Sequence, residues 1–222
     1  MSRLTIFGIG NHVVTLVDCA LALGHRVHRV VLNQPEVTRP GMKSTSEWLR
    51  SLASPPQLIP IDDFAPEPDE IYALGFNASG RSRLVDQVRD RFGVRIATLV
   101  HPTCYVSSLA RLGEGVSIAP HSVVQANVQI GDHVHIGTRV TITHGTIVEP
   151  YALLLQGCNI GGHVAVGHGA TVGMGANILE ERVIGAGAFI AAGAVVTRDV
   201  EAGVLVAGVP AEVKRRLAPA PP

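Results

Sequence analysis

The segment VQANVQIGDHVHIGTRVTITHGTIV, residues 124–148, carries an aliphatic residue at every sixth position. The same phase runs from Val100 to Val196 without a slip. Four residues after each aliphatic position the side chain is nearly always small or β-branched, with Arg182 as the clear exception. The aliphatic positions are Val100, Val106, Leu112, Ile118, Val124, Ile130, Ile136, Ile142, Val148, Leu154, Ile160, Val166, Val172, Ile178, Ile184, Ile190 and Val196. A strict period of six therefore organises the second half of the chain.

A six-residue period fits neither the helical periodicity nor that of an alternating strand. It fits a short strand followed by a tight corner, so that three edges make a triangular coil whose backbone pairs with the neighbouring coils. One aliphatic residue per edge fills such a narrow core, which explains an aromatic content of only 4%. The glycines expected at the turns are Gly131, Gly137, Gly161, Gly167, Gly173 and Gly185. The alternative is a β-sandwich in which the period arises by chance.

Residues 100–211 resemble the left-handed parallel β-helix of hexapeptide-repeat acyltransferases. Gly208, Pro210 and Ala211 match the Gly-x-Pro-Ala turn of the closing segment of that family. The resemblance implies the left hand of the coil, a homotrimer of prisms packed side by side, and acetyl-coenzyme A (acetyl-CoA) as the co-substrate. The apolar and basic residues after the closing turn are expected to form a short capping helix.

The composition favours small molecules as ligands. Lys and Arg number 18, as do Asp and Glu, so no net charge attracts nucleic acid. The three cysteines, Cys19, Cys104 and Cys158, lack the spacing of a metal site, and no metal is expected. Together with the absence of a signal sequence they favour a reducing cytoplasm. No apolar stretch is long enough to span a bilayer, so no membrane insertion is expected.

The first half of the chain has the pattern of an α/β domain. It opens with a β-α-β sequence that has glycines at the first turn, where backbone amides and a helix N-terminus can hold phosphate. The predicted elements are a strand at LTIFGI, a helix over Val13–Leu23, strands at RVHRVVLN and DEIYALGF, and a helix at RSRLVDQVRDRFG. Residues 36–60, rich in Pro, Ser and Thr around a short helix with Trp48, are expected to be a long surface connection. The predicted domains are residues 1–97 and 98–222.

This order of parts narrows the resemblance to the nucleotide-sugar and sialic acid acetyltransferases, in which a Rossmann-like domain binds the sugar nucleotide. In the first turn Gly8 and His12 match the glycine and histidine of that branch, and Gly10 and Asn11 lie beside them. Because Gly8-Ile9-Gly10 lacks the third glycine of the dinucleotide fingerprint, the alternative is a tight turn without a ligand.

Two further positions complete the predicted substrate site. The sequence ALGFN matches a strand end that places Asn77 beside the nucleotide. Many members of the branch carry an acidic pair after the second strand, whereas this chain has Asn33 and Gln34. The substitution leaves open which base is recognised.

Transfer of an acetyl group from a thioester requires a base for the nucleophile and a hydrogen-bond donor for the oxyanion. Histidine is the natural base near neutral pH. His144, in TITHGT, lies two residues after the aliphatic Ile142 and so at a corner that points away from the core. It aligns with the catalytic histidine of the branch, and Gly162, one coil later, aligns with the glycine whose N–H binds the thioester oxygen. The alternative is that His144 is a solvated corner residue.

The chain departs from the branch in two places near His144. The residue after the histidine is usually Asp or Glu, and here it is Gly145. A second histidine that contacts the acyl donor is replaced by Leu153. Another group is therefore expected to orient the ring of His144.

The resemblance also implies where acetyl-CoA binds, along the groove between neighbouring prisms. His163 stands beside Gly162, and Met174 and Ala192 occupy positions at which the branch contacts the coenzyme. Lys214 and Arg215, with Arg216, are expected to meet its phosphates, although a basic C-terminus is commonly only solvated. The acceptor is expected to be an amine or hydroxyl of a sugar, most simply a nucleotide-activated one.

Two other functions remain open. The γ-type carbonic anhydrases share the prism and bind zinc through three histidines, and His163 and His168 have the matching separation. Their phase in the repeat is wrong, and the third position is Gly173. A non-catalytic trimer that only binds or assembles is the second alternative, favoured by Gly145 and Leu153, since a fold does not by itself establish activity.

Overall fold

The computed structural model describes residues 2–36, 41, 43–75 and 81–218. The chain divides into two compact units, Met1–Leu99 and Val100–Pro222, within two residues of the sequence-based boundary. The predicted Asn77 lies outside the described residues.

The first unit is built on a parallel sheet of four strands in the order β3-β2-β1-β4. Its elements are β1 (Arg3–Phe7), α1 (Asn11–Ala22), β2 (Arg26–Leu32), α2 (Thr45–Arg50), β3 (Gln57–Pro60), a 3₁₀ helix (Ile61–Asp63), β4 (Glu70–Leu74) and α3 (Arg81–Phe92). The predicted strands and helices of this half are therefore confirmed. No helix in the described ranges is long and apolar enough to cross a bilayer.

The predicted surface connection over residues 36–60 is wrong at its end, where β3 pairs in parallel with β2. Pro60, which has no N–H to donate, closes this edge strand. The Pro, Ser and Thr content of residues 36–60 gave no indication of this strand, because its hydrogen bonds come from pairing with β2 and not from a local pattern. The short helix α2 is as predicted, and a capping box begins it: Ser44 accepts from the N–H of Glu47 at 3.0 Å, and the Glu47 carboxylate accepts from the N–H of Ser44 at 2.7 Å.

The second unit is a parallel β-helix, and the sandwich alternative is excluded. Its two-residue strands are β5 (Leu99–Val100), β6 (Tyr105–Val106), β7 (Arg111–Leu112), β8 (Ser117–Ile118), β9 (Val123–Val124), β10 (Gln129–Ile130), β11 (His135–Ile136), β12 (Thr141–Ile142), β13 (Ile147–Val148), β14 (Leu153–Leu154), β15 (Asn159–Ile160), β16 (Ala165–Val166), β17 (Thr171–Val172), β18 (Asn177–Ile178), β19 (Val183–Ile184), β20 (Phe189–Ile190) and β21 (Val195–Val196). They form three sheets, in the orders β19-β16-β13-β10-β7, β20-β17-β14-β11-β8-β5 and β21-β18-β15-β12-β9-β6. Each strand pairs with the one 18 residues away, as Ile142 does with Ile160.

The aliphatic positions fill the centre of the prism, where Ile136, Ile142 and Leu154 are 0% exposed. The predicted turn glycines lie at the corners, but for a different reason than the one expected. At Gly161 an added Cβ would lie 2.6 Å from the backbone nitrogen of Glu180 in the next coil, so close approach between coils, and not a positive φ, requires glycine. The positive φ angles fall on other corner residues, such as Gly145 at 69°.

The predicted capping helix after the closing turn is wrong. The chain continues as β22 (Val204–Ala207), which pairs in parallel with β20, and β23 (Glu212–Arg216), which pairs antiparallel with β22. All five residues of β23 are exposed. The segment lacks a buried apolar face that would hold a helix, and as a strand it pairs with the open edge of β22 instead.

Replacing a core residue of the prism should be costly. Leu154→Ala, at a site that is 0% exposed, is expected to lower the free energy of unfolding by roughly 2–5 kcal/mol, because Leu154 belongs to the buried core, between Ile136 and Val172 of the adjacent coils. Leu109, which is 64% exposed, provides the control, and Leu109→Ala should change stability far less. Chemical denaturation of both variants measures the difference, and equal losses would contradict the narrow-core description.

Candidate active site

One corner of the prism carries the predicted base, and we call it the histidine corner. It follows the strands β9, β12, β15 and β18 and consists of the stacked pairs Ala126–Asn127, His144–Gly145, Gly162–His163 and Glu180–Glu181. Hydrogen bonds between coils hold the stack: the N–H of His163 donates to the carbonyl of His144 at 3.0 Å. The second residue of every pair has a positive φ, which is 55° at His163.

The structure brings the two predicted catalytic residues together. The exposed ring of His144 lies against Gly162, where an added Cβ would be 2.9 Å from Nε2. Neither ring nitrogen of His144 makes a hydrogen bond with a described residue, and the N–H of Gly162 is also unbonded within the described ranges. An imidazole and a backbone N–H, neither of them hydrogen-bonded to a described residue, therefore lie side by side. An unbonded N–H recurs at the equivalent corner positions, such as Met174, so it is the neighbouring ring that distinguishes Gly162.

His163 lies beside His144, with ring centroids 5.1 Å apart and ring planes at 85°. The two positions at which the sequence differs from the acetyltransferase branch lie in different parts of the prism. Gly145 is at the histidine corner, whereas Leu153 lies in β14 on another sheet, paired with His135 and Thr171. No carboxylate lies within salt-bridge distance of either corner histidine among the described residues.

Met174 and Ala192, predicted to bind the acyl donor, lie at a different corner from His144. This methionine corner follows β8, β11, β14, β17 and β20 and contains Thr138–Arg139, Gln156–Gly157, Met174–Gly175 and Ala192–Gly193. The N–H of Gly193 donates to the carbonyl of Met174 at 2.8 Å, which stacks the two predicted residues. Met174 is 56% exposed. A single chain therefore does not bring Met174 and Ala192 to its own His144.

An open groove of about 470 Å³ runs from the methionine corner onto the neighbouring sheet. Its lining is polar and consists of His121, Arg139, Thr141, Gly157 and Asn159. Arg139 makes no side-chain hydrogen bond or ion pair with the described residues. The groove is thus cationic, and sequence reasoning did not single it out.

The basic residues of β23 differ in whether a nearby carboxylate pairs with their charge. Lys214 lies 3.4 Å from the Glu212 carboxylate, and Arg216 lies 2.9 Å from that of Glu201. Arg215 has no ion pair with a described residue. Its charge is the one most available to a phosphate.

The predicted substrate residues of the first unit gather at one edge of its sheet. Gly8, with φ 103°, and Gly10 follow β1, and His12 is in the first turn of α1. Asn33 and Gln34 follow β2. Because β1 and β2 are parallel, their carboxyl ends meet at one edge, the usual place for a ligand in such sheets. Asn33 Oδ1 is buried without a hydrogen-bond partner among the described residues.

Arg81 is a member of this edge that sequence reasoning missed. It begins α3, is 5% exposed, and its charge acts on His12, whose pKa is lowered to about 3 by burial first and by Arg81 second. A signal was present in the sequence. Arg81 is spaced from the buried Leu84, Val85 and Val88 by three, four and seven residues, which places it on the inner face of the helix.

The described residues offer little support for a metal. His163 and His168 lie at different corners, and the ring of His168 contacts Tyr151 at 5.5 Å. His28, Glu67 and Glu70 of the first unit have ligand atoms within 4.8 Å of one another. The guanidinium of Arg29 already bridges the two carboxylates, and a cation would have to displace it.

Comparisons with known proteins agree with this architecture. Residues 109–144 match the family model described as bacterial transferase hexapeptide (six repeats). No curated protein matches the chain by sequence. Among solved structures, a mutant of perosamine N-acetyltransferase from Caulobacter crescentus with CoA and GDP-perosamine has 24% identity, a TM-score of 0.81, and coverage of 97% of this chain and 98% of that one.

Two further solved structures cover nearly the whole chain. The acetyltransferase domain of PglB from Neisseria gonorrhoeae with acetyl-CoA is 25% identical, with a TM-score of 0.75 and coverage of 96% of this chain and 98% of that one. WeeI from Acinetobacter baumannii is 19% identical, with a TM-score of 0.76 and coverage of 96% and 100%. The chain therefore carries the bacterial transferase hexapeptide repeat and the fold of these proteins.

The buried His12 predicts a pH-dependent stability. Unfolded, its imidazole binds a proton below about pH 6.5, whereas in the folded chain the pKa is about 3. Its contribution to stability is complete above about pH 6.5 and is lost as the pH falls toward 3, by up to about 1.4 kcal/mol per pH unit. Urea unfolding between about pH 7 and pH 5 should give a shallower pH dependence for His12→Gln than for the parent chain. Identical slopes would show that His12 is not held neutral.

Proposed function

We propose that this chain is an acetyl-CoA-dependent acyltransferase that acetylates an amino group of a nucleotide-activated sugar. The observation that supports it most is the ring of His144 against Gly162, where neither the ring nor the N–H of Gly162 has a hydrogen bond with a described residue. The fold shared with sugar N-acetyltransferases supports the same reaction and favours nitrogen over oxygen as the acceptor atom.

The chemistry follows from the positions of these two groups. His144 takes a proton from the acceptor amine as its nitrogen attacks the thioester carbon, and the carbonyl oxygen becomes an oxyanion. The N–H of Gly162 donates a hydrogen bond to that oxyanion. When the tetrahedral intermediate collapses, the C–S bond breaks and coenzyme A leaves as a thiolate, whose thiol pKa of about 8.5 makes it a tolerable leaving group. The acetyl group remains on the acceptor as an amide.

The first unit is the proposed acceptor domain, Rossmann-like in its parallel sheet and first turn. Gly8 and Gly10 leave the backbone open beside the N-terminus of α1, a suitable place for a diphosphate. Arg81 adds a positive charge at this edge. Asn33 and Gln34 offer amide groups to the nucleobase, and the buried Oδ1 of Asn33 is suited to accept a hydrogen bond from it. Asn77 belongs to the same proposed site.

A homotrimer completes the proposed donor site. Met174 and Ala192 lie at the methionine corner, away from the histidine corner of their own chain. A left-handed prism packed beside two copies would set the methionine corner of one protomer against the histidine corner of another, with acetyl-CoA in the groove between them. His163 would line this groove from the base side.

The central test is the loss of the base. His144→Ala should lower the rate of acetyl transfer by roughly 10² to 10⁴-fold, because proton removal is lost while the exposed corner contributes little to packing. Thiol release from acetyl-CoA is measured across a panel of nucleotide-linked amino sugars, with light scattering to establish the oligomer.

His168→Ala is the matched control, since His168 is also an exposed corner histidine. It should keep normal activity. Full activity in His144→Ala would defeat the mechanism. A parent chain inactive on every acceptor, yet trimeric, would instead support the non-catalytic alternative that Gly145 and Leu153 favour.

If β23 contacts the phosphates of coenzyme A, Arg215 should contribute more to coenzyme A binding than Lys214. Coenzyme A should raise the melting temperature, because a ligand that binds only the folded protein stabilises it. Arg215→Ala should reduce this rise more than Lys214→Ala, whose parent ammonium is already beside Glu212. Differential scanning fluorimetry with and without coenzyme A makes the comparison. If coenzyme A raised the melting temperature of Arg215→Ala as much as that of the parent chain, the basic residues of β23 would be solvated and not in contact with the coenzyme.

A further inference from the structure

We infer that His163 is a positioning residue for the base His144, and that Gly145 is glycine because the ring of His163 occupies the space of its side chain. The inference rests on the proposed function, and it gives His163 a different part from the donor contact predicted by sequence. It also explains how the chain dispenses with the acidic residue that relatives carry after the base.

The two His–Gly pairs of the histidine corner interlock. A Cβ on Gly145 would lie 2.5 Å from Nδ1 and 2.6 Å from Cε1 of His163. A Cβ on Gly162 would lie 2.9 Å from Nε2 of His144. Each ring therefore fills the space left by the glycine of the neighbouring coil, and the rings meet at right angles, 5.1 Å apart.

The main chain of His144 is held on both sides, but its ring is held by packing alone. Its N–H donates to Oε1 of Gln125 at 3.2 Å, and its carbonyl accepts the N–H of His163 at 3.0 Å. The ring makes no hydrogen bond with the described residues. It is therefore confined by Gly162 on one side and by the ring of His163 on another, and removing His163 frees it to rotate away from Gly162.

No carboxylate of this corner takes over the task. Glu180 and Glu181 are the acidic residues of the next coil, both exposed, and neither lies within 4.0 Å of a nitrogen of His144 or His163. The side chain of His163 is the group that remains to fix the base.

Substitutions at position 163 separate positioning from donor binding. His163→Ala should lower kcat by about 10 to 100-fold, the usual effect of losing a group that orients a functional residue, with KM for acetyl-CoA within about twofold. His163→Phe keeps a flat ring in the same place and should restore most of kcat. A raised KM with unchanged kcat would overturn the inference in favour of donor binding, and failure of His163→Phe to restore kcat would overturn the packing role.

A double-mutant cycle tests the role of Gly145. Gly145→Ala should displace the ring of His163 and lower kcat as His163→Ala does, and the double variant should be no worse than His163→Ala alone. Gly169→Ala is the control for alanine at a positive φ, because Gly169 has φ 62° and an added Cβ there meets nothing within 4 Å. It should leave kcat unchanged. Additive losses in the cycle would overturn the inference.

A readout without turnover distinguishes this inference from the proposed function. Histidine side-chain NMR of the free protein should show the ring signals of His144 shifted or broadened in His163→Ala and nearly as in the parent in His163→Phe. Unchanged His144 signals in His163→Ala would overturn the inference whether or not acetyl transfer is found. Altered signals in a protein without activity would uphold it and sink the proposed reaction alone.

Discussion

The pairing of each coil with the next, in a register of 18 residues, is the constraint on which the second unit depends. Parallel bonds such as those between Thr141–Ile142 and Asn159–Ile160 fix which residue stands above which. The backbone polar groups of the short strands are satisfied only by this stacking, so no coil is stable without its neighbours. Because of this register, residues that are 18 positions apart along the chain become neighbours in successive coils. It is the reason why His144 and Gly162 meet.

Because the interior is filled by one aliphatic side chain per edge, chemistry is confined to the corners and outer faces. A corner offers only two outward residues per coil, and the second has a positive φ in every pair of the histidine corner. Such positions tolerate few side chains, and their neighbours above and below are set by the register. Function at a corner is thus built from pairs in successive coils, as His144–Gly145 and Gly162–His163 illustrate.

The first unit buries polar groups at the edge of its sheet where β1 and β2 end. His12 is 8% exposed and held neutral, Arg81 is 5% exposed, and Asn33 Oδ1 is buried without a partner among the described residues. Burial of the Asn33 amide oxygen is costly unless a ligand satisfies it. Elsewhere in this unit Arg29 and Glu70 form a buried ion pair that ties β2 to β4. The Oδ1 of Asn33 is thus a candidate ligand contact at this edge.

The sequence by itself determined the coil, its low aromatic content, the α/β pattern before it, and the meeting of His144 with Gly162. The coil and the meeting of His144 with Gly162 follow from the period of six, which neither a helix nor an alternating strand can satisfy, and the α/β pattern follows from the order of the apolar segments before it. Only the tertiary structure decided that Gln57–Pro60 and Glu212–Arg216 are strands, since a neighbouring edge supplied their hydrogen bonds. It also decided that the ring of His163 crosses over Gly145, because the direction of a side chain depends on the space left by residues of another coil, which no spacing along the chain records.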